Sequence, residues 1–419
     1  MLAAESADAR ERRAHRVARD AIARFVEKYF EHNAGARGAC EHVMRVSGEA
    51  RGNVEDAAFV AREIPLDHVA FRSFGTRDLG IDALCEMFEP LGYALCEDEP
   101  GGAPARYEFP EKRVRARWMK PPRTPAGEIP LPRIFVSELV LEDCERELRD
   151  LVETCLGRVS EGEVYQSGEW ADGRNARWQL PSAKTYAKVE RLSEYAIWTL
   201  LHGYAVNHIA LSLFQLRKKY PETPIRELLD IETTFSSNAA LARKRWNDAG
   251  GRIKRSPSGL LLQSSLMAEP IRIRLFKQTE TRVDRHGNED SEDIYKEYAL
   301  PGSYIEFVQR LPKKENAAKS FEELEEHDLR DGFETANANK IFESTSTRQA
   351  GAQSAQNPAS AGPNAGAGPS AGAGPSAGAK ASLGAGPSTQ VGAHKDAPPK
   401  PTPAHQNAPS SATDVIDLT

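Results

Sequence analysis

The sequence is first informative through what it has little of. Only five cysteines occur in 419 residues and none forms a C-x-x-C pair, so we expect buried thiols in a reducing compartment rather than a disulfide framework. No apolar run approaches the ~20 residues that a membrane-spanning helix needs, so no membrane association is expected. The patterns G-x-G-x-x-G and G-x-x-x-x-G-K-[ST] are both missing, so no loop that cradles phosphates is predicted.

Neither sign of charge dominates the chain. With 55 basic and 61 acidic residues the formal net charge is -6, which gives no reason to expect a nucleic-acid partner. Four arginines lie within residues 10–16, but acidic residues interleave with them on both sides. Transit peptides are usually poor in acids, so this pattern predicts a soluble, cytoplasmic protein.

The main positive signal is a phrase of eight residues that occurs twice. Residues 67–74 read DHVAFRSF and residues 207–214 read NHIALSLF. Both are typical of β-strands, because apolar, β-branched or aromatic side chains surround His68 and His208. A duplicated strand with a duplicated imidazole suggests that two copies of one module meet so that the histidines converge.

The elements that follow each histidine strand recur in the same order. A helix, a glycine stop and further strands lead to an apolar strand with a glutamate, Glu138 in the first half and Glu306 in the second. The pattern predicts an α+β fold of duplicated β-α-β-β-β modules. The predicted boundaries are about 60–142 for module 1, 143–195 for an inserted helical cover, 200–312 for module 2 and 313–346 for a closing segment, which together form one catalytic domain, 1–346.

Two longer helices are also predicted. Residues 14–32 place seven apolar side chains on one helical face, as in an ordinary packing helix. Residues 224–249 read as the helical stretch of the second module, ended by a Gly-Gly stop. The apolar residues of the first helix are Val17, Ala21, Ile22, Phe25, Val26, Tyr29 and Phe30.

The paired histidines indicate a metal site. A lone histidine on an apolar strand is more often a core residue than a ligand, but His68 and His208 stand at equivalent points of a repeat. Glu306, inside the apolar run YIEFV, needs a cation nearby if it is buried. Two histidines and one carboxylate are the ligands of non-haem Fe(II) oxygenases, and zinc hydrolases use the same set, so the residue types leave the metal open.

At a finer level, several phrases resemble one family. The order of strands is similar to the vicinal oxygen chelate superfamily, which implies a curved sheet or half-barrel around a metal. Within it, the chain resembles the 2-oxoadipate dioxygenase/decarboxylase family over about residues 15–346. The phrases that carry this resemblance are HVAFR at 68–72, LHGYAVNH at 201–208, LQSS at 262–265, PGSYIEF at 301–307, GF at 332–333 and IFES at 341–344.

The resemblance implies roles for individual residues. His68, His208 and Glu306 would bind Fe(2+), and Arg72 would hold the carboxylate of the oxoacid. Positions 68 and 72 share one face of a strand, so Arg72 points towards the predicted metal. A planar guanidinium is also the natural bidentate partner of a carboxylate.

Weaker candidates surround this set. Bacterial members of the family have a Val-Ser pair in the substrate pocket, and the matching positions here are Ala336 and Asn337, a departure that bears on which chain length is accepted. Glu138, as the counterpart of Glu306, is either a fourth metal ligand or, as we favour, an acid that supports the ligands or the structure. His202 and Gln263 are further candidates for groups that support the ligands.

The function implied is oxidative decarboxylation of 2-oxoadipate by O2 to 2-hydroxyglutarate and CO2, in lysine degradation. The residues by themselves reach only a metal-bound small oxoacid and O2. A metal-dependent isomerase or hydrolase of the glyoxalase type is the alternative on the same scaffold, since a fold does not fix a chemistry. A domain that binds without catalysis is disfavoured, because all four residues of the predicted site are present.

Beyond about Ser346 the composition changes to Ala-Gly-Pro-Ser repeats. So few apolar side chains cannot offset chain entropy, so residues 347–419 are predicted to be a disordered tail. Its last six residues, 414–419, read DVIDLT and resemble the short motifs that bind small ubiquitin-like modifiers by adding a strand to a sheet. Titration with such a modifier, followed by NMR shifts of the tail, tests this expectation.

Overall fold

The structure is a computed structural model that describes residues 6–97, 106–157, 178, 182–248, 251–269, 271–283, 289–300, 302–335 and 416–417. It is a mixed α+β fold built on an open sheet. The helices are α1 (Ala7–His32), α2 (Ala34–Val46), α3 (Arg51–Val54), α4 (Ala57–Glu63), α5 (Ile81–Phe88), α6 (Arg146–Leu156), α7 (Ala183–Leu192), α8 (Glu194–His202), α9 (Leu213–Lys219) and α10 (Leu228–Ser236).

Most strands join a single sheet of nine strands. The strands are β1 (Leu66–Phe74), β2 (Ala94–Leu95), β3 (Tyr107–Phe109), β4 (Val114–Lys120), β5 (Arg133–Leu139), β6 (Val206–Ser212), β7 (Lys254–Arg255), β8 (Leu261–Ser265), β9 (Ile271–Val283), β10 (Glu289–Leu300), β11 (Tyr304–Arg310) and β12 (Ile416–Asp417). The order across the large sheet is β2-β4-β5-β1-β6-β11-β8-β7, and β3 pairs with β4. Strands β10, β9 and β12 form a separate small sheet.

The large sheet is arranged symmetrically about its centre. Strands β1 and β6 pair antiparallel, β1 pairs in parallel with β5, and β6 pairs in parallel with β11. Reading outwards from the β1–β6 junction, each half therefore presents a histidine strand, a parallel neighbour and two antiparallel strands. The centre of the sheet is also its most buried part, since every residue of β1 and β6 is buried.

The two faces of the sheet have different environments because side chains alternate along each strand. One face packs on helices: Phe71 of β1 lies 5.3 Å from Phe25 of α1 and 5.3 Å from Phe88 of α5 between ring centroids. On the same face, Phe307 of β11 packs on Phe235 of α10 at 5.7 Å. The opposite face carries His68 and His208, and it is the face on which a site can form.

The two predicted helices are present with changes. In α1 the buried stripe runs through His15, Ala18, Ile22 and Phe25, so Val17 lies about one residue out of phase and is 55% exposed. The prediction that Val17 packs in the core is therefore wrong. The predicted helix over 224–249 is shorter, because α10 ends at Ser236 and the side chain of Asn238 accepts the amides of Ala240 and Leu241 in a separate turn.

Other expectations concern the thiols, the membrane and the tail. All five cysteines are free and four of them are buried. No helix in the described part of the chain is long and apolar enough to cross a membrane. Apart from residues 416–417, which pair in parallel with β9, the predicted tail lies outside the described residues, so its disorder and its modifier-binding motif stay predictions.

The aromatic layer under β1 yields a stability test. Phe25 is 2% exposed and contacts Phe71 and Phe88, so Phe25→Ala should lower the free energy of unfolding by about 3–5 kcal/mol through cavity formation. Val17→Ala in the same helix should change it by less than about 0.5 kcal/mol. Urea unfolding of both variants measures the difference. Equal losses would mean that α1 does not dock through the Phe25 stripe.

Candidate metal centre

The potential ligand atoms of three buried side chains converge on the face of the sheet opposite to the one that packs on α1 and α5. His68 Nε2 lies 3.3 Å from His208 Nε2, 3.6 Å from a Glu306 carboxylate oxygen, and His208 Nε2 lies 3.4 Å from the other oxygen. The three residues are 2%, 5% and 1% exposed. They form the one cluster of potential metal ligands among the described residues, with ligand atoms within 4.8 Å of one another.

The register of three central strands produces this convergence. Across β6, His68 of β1 lies opposite Ala210 on one side and Glu306 of β11 lies opposite Ala210 on the other. His208 is two residues before Ala210 and points to the same face. Because Ala210 has the smallest side chain that keeps this position apolar, the two flanking ligands can reach towards each other above it.

Each histidine is oriented by the residue before it. Asp67 Oδ1 lies 2.9 Å from His68 Nδ1, and Asn207 Oδ1 lies 3.1 Å from His208 Nδ1. With Nδ1–H donating to these oxygens, the lone pair of each Nε2 faces the cluster, as a metal ligand requires. Sequence reasoning missed both roles, although an acid or amide before each histidine was a visible part of the repeat.

The electrostatics of the cluster suit a cation. Burial lowers the pKa of His208 well below its ordinary value, and the neighbouring His68 and Arg72 lower it further, so this imidazole stays neutral and able to coordinate. Burial raises the pKa of Glu306, against the opposing influence of His68 and of a hydrogen bond from Gln263. The burial of this carboxylate costs free energy that a bound cation would offset.

Two imidazoles and one carboxylate fit a divalent metal that keeps open positions for a substrate. Gln263 Nε2 donates to Glu306 at 3.0 Å, so the predicted supporting role of Gln263 agrees with its position. Ring packing closes the sides of the cluster: Phe333 meets His68 edge-on at 5.0 Å and Tyr304 stacks on His208 at 4.5 Å between centroids.

Arg72 lies on the same face of β1 as His68. Its guanidinium carbon is 4.8 Å from the centre of the Tyr195 ring and 5.2 Å from that of Trp198, both on α8. The Tyr195 hydroxyl lies 2.9 Å from Ser137 Oγ, so the ring under the guanidinium is itself held in place. Arg72 is buried, and its positive charge contributes to the low pKa of His208.

The expected correspondence between Glu138 and Glu306 does not hold. In the parallel pairs, Ala70 lies opposite Phe135 as Ala210 lies opposite Glu306, so the counterpart of Glu306 is Phe135. Glu138, three residues further on, points to the helical face. Its carboxylate accepts the Ile81 amide at the start of α5 at 2.6 Å and pairs with Arg115, so it has a structural role.

The remaining candidates are His202, Ala336 and Asn337. His202 packs at a tilt against Trp198, 4.6 Å between ring centroids, near the end of α8. Ala336 and Asn337 lie outside the described residues, so their predicted substrate contacts remain predictions.

Comparison with known proteins identifies the family. A model of the 2-oxoadipate dioxygenase/decarboxylase family matches residues 21–329. The chain belongs to this family. It is 32% identical over 354 residues to the rice (Oryza sativa subsp. japonica) 2-oxoadipate dioxygenase/decarboxylase, chloroplastic/amyloplastic, a match that covers 83% of this chain and 84% of the relative. It is 34% identical over 298 residues to the chloroplastic protein of the same name from Arabidopsis thaliana, covering 69% and 70%.

A solved structure agrees with this assignment. The chain resembles the crystal structure of the Oryza sativa hydroxyglutarate synthase in complex with 2-oxoadipate, with 30% identity and a TM-score of 0.60. The match covers 81% of this chain and 95% of the rice chain. The family predicted from short phrases is thus confirmed.

The predicted cytoplasmic location, in contrast, is wrong. Both plant relatives are named as plastid proteins. The prediction depended on acids among the arginines near residue 10, but these residues belong to the folded helix α1, where Asp20 pairs with Arg62 and Asp8 with Arg12. Acids that serve a folded helix carry no information on the compartment.

The two buried glutamates give a test with opposite signs. Glu306→Gln should abolish stoichiometric divalent-metal binding. It should nevertheless raise the free energy of unfolding of the metal-free protein at neutral pH, because it removes a buried carboxylate whose charged form burial disfavours. This gain should shrink as the pH falls and the wild-type carboxyl protonates. Metal analysis and urea unfolding at two pH values measure both effects.

Glu138→Gln is the matched control for this test. It should leave metal content unchanged and lower stability by about 1 kcal/mol, because the hydrogen bond to the Ile81 amide loses its charge assistance. Loss of metal in Glu138→Gln, or full occupancy in Glu306→Gln, would contradict the assignment of the ligands.

Proposed function

We propose that this protein is an Fe(II)-dependent enzyme that converts 2-oxoadipate and O2 into 2-hydroxyglutarate and CO2. The observation that carries the proposal is the buried cluster of His68, His208 and Glu306 in a chain of the 2-oxoadipate dioxygenase/decarboxylase family. The atoms balance with one O2 consumed and one CO2 released for each oxoacid. No separate reductant is required, since the oxoacid supplies the electrons.

The ligands would hold the metal on one side only. The two Nε2 atoms and the Glu306 carboxylate approach from the sheet, where Phe333 packs against His68 and Arg72 of the same strand packs against α8. When bound there, Fe(II) would supply Lewis acidity and the one-electron chemistry that O2 requires. Because the three ligands are almost fully buried, the protein would keep bulk water away from the reacting groups.

Arg72 would bind a carboxylate of the substrate and orient it. The guanidinium projects from the strand that carries His68, and the rings of Tyr195 and Trp198 hold it in one direction. A planar fork held in this way can make two parallel hydrogen bonds to a carboxylate. The protein would therefore select an oxoacid that has a carboxylate within reach of both Arg72 and the metal.

Two further parts of the proposal follow from the relatives. The plant relatives are named for plastids, and we infer the same compartment for this chain. A full-length fluorescent fusion that stays in the cytosol would contradict this. The product implies a place in lysine breakdown, which labelled lysine would reveal as labelled 2-hydroxyglutarate in cells that contain the enzyme.

Reconstitution under anaerobic conditions tests the reaction itself. The protein is loaded with Fe(II), mixed with oxoacids of graded length, and exposed to O2 while O2 uptake and CO2 release are measured. We expect equal amounts of both with 2-oxoadipate and much slower reaction with shorter dicarboxylic oxoacids. Turnover without O2, or with Zn(II) in place of Fe(II), would favour the isomerase or hydrolase alternative.

Arg72→Lys tests the binding of the carboxylate. The substitution keeps the charge but loses the planar fork, and hydrogen bonds to a charged group are worth roughly 1.5–3 kcal/mol. We expect kcat/KM to fall about 10- to 100-fold with unchanged iron content. Arg77→Lys, at an exposed arginine in the loop after β1, is the control and should keep full activity. Near-normal kcat/KM in Arg72→Lys would make Arg72 structural.

A further inference from the structure

The two residues that orient the histidines have unequal surroundings. Asn207 is a neutral amide, whereas Asp67 is a carboxylate that is 2% exposed. Arg310 holds both of its oxygens, with Nε 2.6 Å from Oδ2 and Nη2 2.9 Å from Oδ1. A second guanidinium group, that of Arg133, places its Nη1 3.6 Å from Oδ2.

The charge of Asp67 is therefore secured by its surroundings. Arg310 bonds to both carboxylate oxygens, Arg133 lies beside Oδ2, and His68 Nδ1 lies 2.9 Å from Oδ1, so hydrogen-bond donors and positive charge surround this carboxylate. A carboxylate that accepts from Nδ1–H makes Nε2 of the same ring a better donor to a metal than an amide does. His68 and His208 are thus unequal ligands, although their strands are alike.

Arg310 also reaches a part of the chain far from β1. It lies on β11, four residues after Glu306, and its Nη1 donates to the carbonyls of Arg330 at 2.9 Å and Gly332 at 2.7 Å. Its guanidinium carbon is 5.4 Å from the centre of the Phe333 ring, the ring that packs edge-on against His68. Arg310 is thereby bonded both to Asp67, which orients His68, and to the backbone beside Phe333, which packs against His68.

The segment that Arg310 holds leads towards the predicted substrate contacts. Its backbone begins at Arg330, whose amide donates to Leu311 at 2.9 Å, and passes Gly332, which has a positive φ of 72°. Ala336 and Asn337, predicted to contact the substrate, follow three and four residues after Phe333. A change in the position of Arg310 would therefore affect both Asp67 and the backbone that carries Phe333.

We propose that Asp67 and Arg310 are positioning residues that couple metal binding at His68 to the order of the segment Arg330–Glu334. Asp67 fixes the imidazole with Nε2 towards the metal, and Arg310 joins this carboxylate to the carbonyls of the segment. Metal bound at His68 stabilises the Asp67–Arg310 pair, and the pair in turn holds Phe333 against His68. The inference rests on the proposed metal site. It states that Asp67 and Arg310 link metal binding at that site to the order of the segment.

Metal titration tests the first half of this coupling without turnover. Co(II) is added to metal-free protein under anaerobic conditions and its visible absorption bands are followed. Asp67→Asn keeps the shape and an acceptor for Nδ1–H, but we expect Co(II) affinity to fall about 10- to 100-fold, with shifted bands. Glu326→Gln is the control. Glu326 also pairs with Arg133 but makes no recorded hydrogen bond or ion pair to His68 in the described part of the chain, so the Co(II) affinity of this variant should stay unchanged.

Amide hydrogen exchange tests the second half. In the wild type, saturating Co(II) should slow exchange in residues 330–335. In Arg310→Lys, which keeps the charge but cannot bind Asp67 and two carbonyls together, saturating Co(II) should leave that exchange fast. A purely structural role would lower the thermal midpoint of either variant while leaving the affinity, the bands and the metal-dependent protection as in the wild type.

The outcomes separate this inference from the proposed function. If the wild type binds no stoichiometric Co(II), the metal site itself is wrong. If the wild type binds Co(II) and Asp67→Asn binds it equally tightly, or Arg310→Lys keeps metal-dependent protection of 330–335, the coupling is overturned while the metal site stands. Should Asp67→Asn fail to fold, Arg310→Lys carries both measurements.

Discussion

The antiparallel pairing of β1 with β6 is the constraint on which the rest of the structure depends. It places His68 and Ala210 opposite each other, so that the two imidazoles approach on one face without any loop to position them. Sites built on strands hold their geometry better than sites built on loops. A slip of one residue in this pairing would turn one histidine to the helical face and remove the metal site.

Such a site has a cost in buried charge. Asp67, Arg133, Glu306 and Arg310 are all buried within one region of the sheet. Buried ion pairs often contribute little net stability, but breaking one by removing a partner is strongly destabilising. Asp67 and Arg310 satisfy each other through two charge-assisted hydrogen bonds, whereas the Glu306 carboxylate accepts hydrogen bonds from the uncharged side chains of Gln263 and Tyr304 and lies against His68 and His208. Because Asp67 is paired with an arginine and Glu306 lies beside the two imidazoles, Glu306 is the acid that we propose as the metal ligand.

Much of this site could be predicted from the sequence, because a strand repeat fixes both spacing and face. His68, His208 and Glu306 stand out as polar residues in apolar strands. The family resemblance implies Arg72, and the period of two places it on the same face as His68. The supporting contacts could not be predicted in the same way. Arg310 meets Asp67 from 243 positions away, and only the strand order brings them together. The counterpart of Glu306 was misassigned for a related reason, since parallel register depends on packing and leaves no local signal.

The corrected register explains how a nearly symmetric sheet can hold an asymmetric site. Where the second half has Glu306 the first has Phe135, and where the first half has Arg72 the second has Ser212, whose hydroxyl caps α9 by accepting the Gln215 amide. Each half therefore supplies one imidazole from the shared framework and one residue of its own. Two equal halves would present two carboxylates or none, and neither arrangement leaves a divalent metal with three ligands and one side open to an oxoacid. The symmetry of the strands sets the position of the site. The residues that depart from this symmetry, Glu306 and Arg72, make its two halves chemically different.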